Sequence, residues 1–172
     1  MNKPLIALVL ALGLGALGVT HAADIDDAQI AHVAYTAGAI DVTAAQQALQ
    51  KTHNPEVRAF AEEMARDHTA VNEQALALLK KLGVTPQDNP TSQALSRDAS
   101  ATQDKLAALD GAAYDRAYAE NEVAFHKAVN AALADTLIPS ADNAELKSLL
   151  QTGLKLFQSH QMHAEHLAQS LK

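Results

Sequence analysis

Beyond Pro55 and up to Gly83 the chain runs without a proline or glycine. Within it Val57, Ala61, Met64, His68, Val71, Ala75, Leu78 and Leu82 recur in steps of four and three. That spacing places all eight on one stripe of a helix, a seam that other helices must cover. Both ends are signposted. Asn54 suits an N-cap, Pro55 the first helical position, and Glu56 complements the positive helix end. Lys80-Lys81 form a basic last turn, followed by Gly83 and then Pro86. A chain built around such a seam is constrained to helix-on-helix packing.

Three further segments read as long helices. The first runs from about Asp26 to Gln50, with Ala28, Tyr35, Val42 and Leu49 along one side. The third begins after Asp110-Gly111 and reaches Leu137, with Tyr118, Glu122, Phe125, Val129 and Leu133 inward and His126 alongside. The fourth opens after Pro139, where Asp142 and Glu145 form a capping-box-like pair. Its inward line reads Leu146, Leu149, Gly153, Leu156, His160, His163 and Leu167. Pro55, Pro86, Pro90 and Pro139 all fall outside the predicted helix interiors. The expectation is an all-α four-helix bundle with a long polar connection, Val84 to Gly111, between helices two and three. That length allows a crossover topology and an up-and-down one as well.

The first residues read as an export signal. Lys3 is followed by an uncharged apolar run from Leu5 to Gly18, and Thr20-His21-Ala22 supplies a small-residue cleavage end. The run is too short for a bilayer span. Residues 1–22 are thus expected to be a cleaved signal peptide, and residues 23–172 a single domain with no membrane span. Cleavage removes one basic residue and no acidic one, taking the net charge from −7 to −8. Such acidity argues against nucleic acid and anionic lipid as partners. The chain has no cysteine, which rules out disulfides and thiol chemistry.

Four histidines fall on or beside these stripes: His68, His126, His160 and His163. Glu122 and His126 are four apart and His160 and His163 three apart, so each pair shares a helix face. Asp41 is the mid-helix carboxylate of helix one. Imidazole with carboxylate suits a divalent zinc, iron, manganese or copper ion. Each signal also has a plainer reading. A lone seam histidine is commonly a hydrogen-bonded core residue, and Glu122 with His126 can be an ordinary intrahelical pair. The run His160, His163 and His166 can be a polar helix end. Three residues before the histidines from His32 onward stand Gln29, Gln50, Ala65, Val123, Phe157, His160 and His163. None is Glu, which argues against a carboxylate-bridged di-iron site built from paired Glu-x-x-His motifs.

The stretch FAEEMARDHTAVNEQ (60–74), a Gly-Val-x-Pro turn and GAAYDRAYAENEVAFHKAV (111–129) together resemble the domain-of-unknown-function 4142 family. The resemblance extends from about Asp26 to Leu171. It implies an exported bundle of ferritin-like fold, in a family often labelled membrane or outer-membrane proteins. The family's Asp-His pair falls on Asp67 and His68, its next histidine on His126, and its late histidine, four before an Ala, on His160. Asp41 stands where the family usually has Glu, and Lys155 lies where a Pro is common.

Three functions follow as expectations. The first is a periplasmic metal-binding bundle with His68, His126 and His160 as ligands, completed or tuned by Glu122, His163 and Asp41. The second is a non-enzymatic envelope or stress-tolerance bundle whose histidines are structural. The third is a pH sensor, whose buried histidines would loosen the bundle on charging. No catalytic residue is assigned under any of them.

Overall fold

The computed structural model describes residues 25–172, and every regular element among them is helical. They are α1 (Asp27–Lys51), α2 (Pro55–Leu82), α3 (Pro90–Ala107), α4 (Gly111–Ala132), the single turn α5 (Ile138–Ser140) and α6 (Ala144–Ser170). A π-helical stretch, Leu133–Leu137, joins α4 to α5. The segment expected to be a signal peptide, residues 1–22, lies outside the described residues. No described helix is long and apolar enough to cross a membrane.

Local chemistry explains the helix ends. The Asp26 carboxylate accepts from the Gln29 N–H at 2.8 Å, and the Gln29 side chain accepts in return from the Asp26 N–H. Asn54 accepts from the Glu56 N–H, and Gly83 closes α2 at φ 66°, a left-handed conformation that glycine adopts freely. For α6 the cap is Asn143, one residue beyond the expected Asp142; its side chain accepts from the Glu145 and Leu146 N–H groups. Asp142 and Asn143 donate their own N–H groups to the Asp27 carboxylate, tying this turn to the start of α1. Before Pro139 the ladder widens, with the Ile138 N–H bonding Leu133 O. Widening there relieves the clash a proline ring makes with the carbonyl four residues back.

The long connection contains a helix that the sequence reading did not expect. α3 starts beside the beginning of α1, where the Gln87 N–H donates to Ala28 O and Asn89 Nδ2 donates to Gln29 O. It ends beside the end of α1, where Gln47 Nε2 donates to Gln103 O and Lys51 Nζ donates to Ala107 O. The connection therefore runs the length of α1, and α4 points the same way as α2. Crossover, of the two topologies allowed, is the one found.

α1 packs on α2, α4 packs on α6, and the two pairs face each other. Their interior divides into two apolar clusters. One gathers Ala44, Ala45, Ala48, Val57, Phe60, Ala61, Met64, Leu106, Tyr114, Tyr118, Ala119, Ala164 and Leu167. The other gathers Ile30, Ala31, Val33, Leu79, Leu133, Leu137, Ala141, Leu146, Leu150 and Phe157. On every long helix the residues between the clusters are polar: Asp41 on α1, His68 on α2, Glu122 and His126 on α4, His160 on α6. The fold thus holds one polar layer between two apolar halves.

Candidate metal centre

All five layer residues are at most 2% exposed. The ring centroids of His68, His126 and His160 form a nearly equilateral triangle, with sides of 5.6, 5.3 and 5.6 Å. A nitrogen from each ring lies within 4.8 Å of the other two. Asp41 Oδ2 is 3.2 Å from His68 Nε2 and 3.4 Å from His126 Nε2. Asp41, Glu122 and His126 form a second group within 4.8 Å that shares His126 with the first.

The protons are held on the outer side of the cluster. His126 Nδ1 sits 3.0 Å from Glu122 O, a carbonyl that only accepts, so Nδ1 carries the hydrogen and Nε2 keeps its lone pair. His160 Nε2 lies 3.1 Å from Asp67 Oδ2, which likewise leaves Nδ1 as the bare nitrogen. Those inward atoms, His126 Nε2 and His160 Nδ1, have no hydrogen-bond partner. Neither do both nitrogens of His68, both oxygens of Asp41 and Oε2 of Glu122. The His–Asp41 approaches are short but misaligned for N–H···O bonding, so proximity leaves these atoms unsatisfied. Each buried polar atom without a partner destabilises a fold by about 1–3 kcal/mol. These atoms fall into two groups that share His126, three imidazoles on one side and a carboxyl pair on the other, and either group could take a cation. A tetrahedron with metal–ligand bonds of about 2.0–2.1 Å has edges of roughly 3.3 Å, close to the two His–Asp41 separations.

Electrostatics agree with this geometry. Burial, aided by the neighbouring imidazoles His126 and His160, drives His68 down to about 2. Burial also takes His126 down to about 4, against the pull of Glu122 O, and lowers His160 against Asp67. The rings are therefore neutral, the form that ligates. Burial pushes Asp41 up to about 7, with Glu122 opposing, and raises Glu122 well above its usual range with Asp41 adding to the effect. A proton shared between Asp41 and Glu122 thus bridges this carboxyl pair, satisfying one oxygen on each in the metal-free protein, and a cation would have to displace it.

Of the expected ligands, the structure brings Asp41, His68, Glu122, His126 and His160 together. His163 stands apart. The sequence reading placed it inward, but its side chain is 43% exposed and its Nδ1 meets Glu63 Oε2 at 2.7 Å. The buried line of α6 is Leu146, Leu150, Gly153, Phe157, His160, Ala164 and Leu167, so the seam steps from His160 to Ala164. On α4 the central line is Tyr114, Tyr118, Glu122, His126 and Asn130, leaving Phe125 half-buried at the flank.

Three contributors were not read as parts of the centre. Asp67, named above only as the Asp of the family's Asp-His pair, orients His160 while Arg66 Nε grips its other oxygen at 2.7 Å. Phe157 stacks on His68 at 4.5 Å and 11°, and Asn130 Nδ2 donates to the Phe157 carbonyl. Tyr118 presents a buried, unpartnered hydroxyl. The charges of Glu122 and Asp41, after burial itself, keep that phenol protonated. A signal for Asp67 existed: it precedes a seam histidine, which turns it toward the adjacent helix.

Fold and centre together define an all-helical protein with a buried histidine–carboxylate cluster. The family described as Domain of unknown function (DUF4142) matches residues 15–167, and the chain belongs to that family. No curated protein and no solved structure matches it.

Proposed function

We propose that this protein is an exported, periplasmic four-helix bundle of ferritin-like fold that binds a divalent transition metal ion. His68, His126, His160 and Asp41 are the ligands, with Glu122 completing or tuning the site. The carrying observation is the set of inward lone pairs on His126 and His160, whose protons are tied outward by Glu122 O and Asp67. Metal-ligating histidines characteristically donate their second N–H in this way. Zinc, iron, manganese and copper all suit three imidazoles and a carboxylate. His163 enters this reading as a surface residue and not as a ligand. Export rests on Lys3, the apolar run Leu5 to Gly18 and the Thr20-His21-Ala22 end. The crossover and the pairing of α1 with α2 and α4 with α6 support the ferritin-like reading.

A structural role for the histidines draws on the same two hydrogen bonds, but it leaves the atoms facing the centre unsatisfied. Sensing of mild acid is disfavoured, because burial keeps His68 and His126 neutral well below pH 6. The test is metal loading with Zn, Fe, Mn or Cu, dialysis and elemental analysis. About one equivalent is expected for at least one metal, and none for His68→Ala. An ion held at a thousand times its dissociation constant adds about 4 kcal/mol, which a chelator should abolish. Stoichiometry near zero with all four metals would dispose of the proposal.

A further inference from the structure

A cavity of about 330 Å³ opens directly onto the polar layer. Its walls include Ala34, Ala37, Val71, Leu133, Leu150 and Phe157, while Asp41, His68 and His126 lie at one end. Along α1 it reaches from Ala31 to Asp41, a length of roughly 15 Å by helix rise. Protein interiors rarely hold voids much larger than a water molecule, whose share of liquid volume is about 30 Å³. A space many times that size, partly open to solvent and about three times the roughly 110 Å³ pocket beside Ala44, is not a packing flaw. Its walls offer almost nothing to bind water, so an apolar occupant is favoured.

The distribution of polarity defines that occupant further. The buried titratable groups Asp41, His68 and His126 stand at one end, and the long axis away from them is mostly aliphatic, with Tyr35, Asn72, Thr91 and Asp98 as polar exceptions along its walls. We propose that the cavity binds an unbranched carboxylic acid on the order of ten carbons long, its head at the metal centre and its chain along the apolar walls. The inference rests on the metal reading above. Without an ion, the head would face Asp41, His68 and His126, none of which carries a positive charge to hold an anion. With an ion, a carboxylate oxygen is a suitable additional ligand. Phe157, stacked on His68, forms the wall where head and chain meet.

The probes are decanoate and 1-decanol, titrated calorimetrically into the protein as its cells accumulate it, before and after metal loading. Decanoate should bind the loaded protein at least tenfold more tightly than the metal-free protein. Decanol, which lacks a charge, should bind both alike. Ala37→Leu, which fills the cavity one turn of α1 before Asp41, should keep its metal and lose at least tenfold in affinity for both probes. Ala34→Val serves as a milder filling should the first variant fail to fold. Metal uptake without decanoate uptake overturns this inference alone, as does unchanged binding by a folded, cavity-filled variant. Absence of metal uptake overturns the reading beneath it, and this one with it; decanol binding would then show that the cavity is real and the head-group assignment wrong.

Discussion

The two halves on either side of the histidine layer are built from the same helices and packed to different standards. Around Phe60, Met64, Tyr114 and Tyr118 the side chains are sealed, each with no accessible surface. Around Leu137, Leu150 and Phe157 they retain 5–8% and border the cavity, although Ile30 and Ala31 of the same half are as fully buried as the sealed side. Residue size accounts for part of this. The sealed half matches rings of Phe60, Tyr114 and Tyr118 against the small faces of Ala44, Ala45 and Ala48, whereas the open half offers aliphatic chains around a gap. A close-packed base holds the ligands in position, and an underfilled neighbour leaves space beside them. Rigidity and access are thereby assigned to opposite ends of one interior.

The largest effect expected from this contrast is on stability. Met64→Ala in the sealed half should cost about 4 kcal/mol, near the upper part of the range for such truncations. Leu150→Ala should cost about 2 kcal/mol, because a side chain that already borders a void forfeits fewer contacts. Chemical denaturation of the metal-free protein measures both. Equal losses would mean that the halves are packed alike and that the cavity carries no structural meaning.

How much of this could be read from the chain depended on residue size. α2 was legible from end to end because Asn54, Pro55 and Gly83 mark its limits and bulky residues mark its seam. α1 was legible as a helix but not in orientation. Its bulky residues Tyr35, Val42 and Leu49 lie half-buried on the flank, while the buried face, beyond Ile30 and Val33 at its start, is Ala37, Gly38, Ala44, Ala45 and Ala48. Small residues permit the close approach to α2; a side chain on Gly38 would run into Asn72. Hydrophobic periodicity cannot register a face whose virtue is lack of bulk. α3 escaped notice for a related reason, since only Ser92 and Leu106 are buried in it. In the centre, residue types gave Asp41, His68, Glu122, His126 and His160. The phase of α6 was off by one position, which put His163 inward in place of Ala164. Asp67 could be placed beside His68 from the chain alone, but its role in orienting His160 exists only once α6 lies beside α2.

The layer between the halves gives the next largest effect. Asp67→Ala removes the group that orients His160 from outside, and loss of such an outer partner weakens metal binding about 10–100-fold. Apo stability should fall as well, by about 1–3 kcal/mol, because the buried His160 Nε2 loses its acceptor; the pair of Asp67 with Arg66 is a surface one and adds little. The same titrations, run from pH 5 to pH 8, test the carboxyl pair. Asp41 must release its proton to an incoming ion, so affinity should climb with pH and level off above about 7. In the metal-free protein the sign reverses. A carboxyl raised from 3.8 to about 7 lends stability below 3.8 that is lost as pH rises through 7. His126, lowered to about 4, opposes it, lending stability above 6.5 that is lost as pH falls through 4. A metal-induced melting shift that is the same at pH 5 and pH 8 would show that no proton leaves Asp41, and would remove it from the ligand set.

The smallest effect is the most discriminating. Ala45→Val and Ala34→Val add the same two methyl groups to the same helix, so the loss of helix propensity is common to both and cancels in the comparison. Ala45 is fully buried in the sealed half, where extra volume forces neighbours off their rotamers at about 1–3 kcal/mol. Ala34 borders the cavity, where the methyls gain contacts and displace nothing. Its variant should lie within about 1 kcal/mol of the parent, and on the stabilising side once the propensity term is subtracted. If Ala34→Val is as damaging as Ala45→Val, the space beside the histidines closes in solution, and the division of the interior into a rigid and an accessible half fails with it.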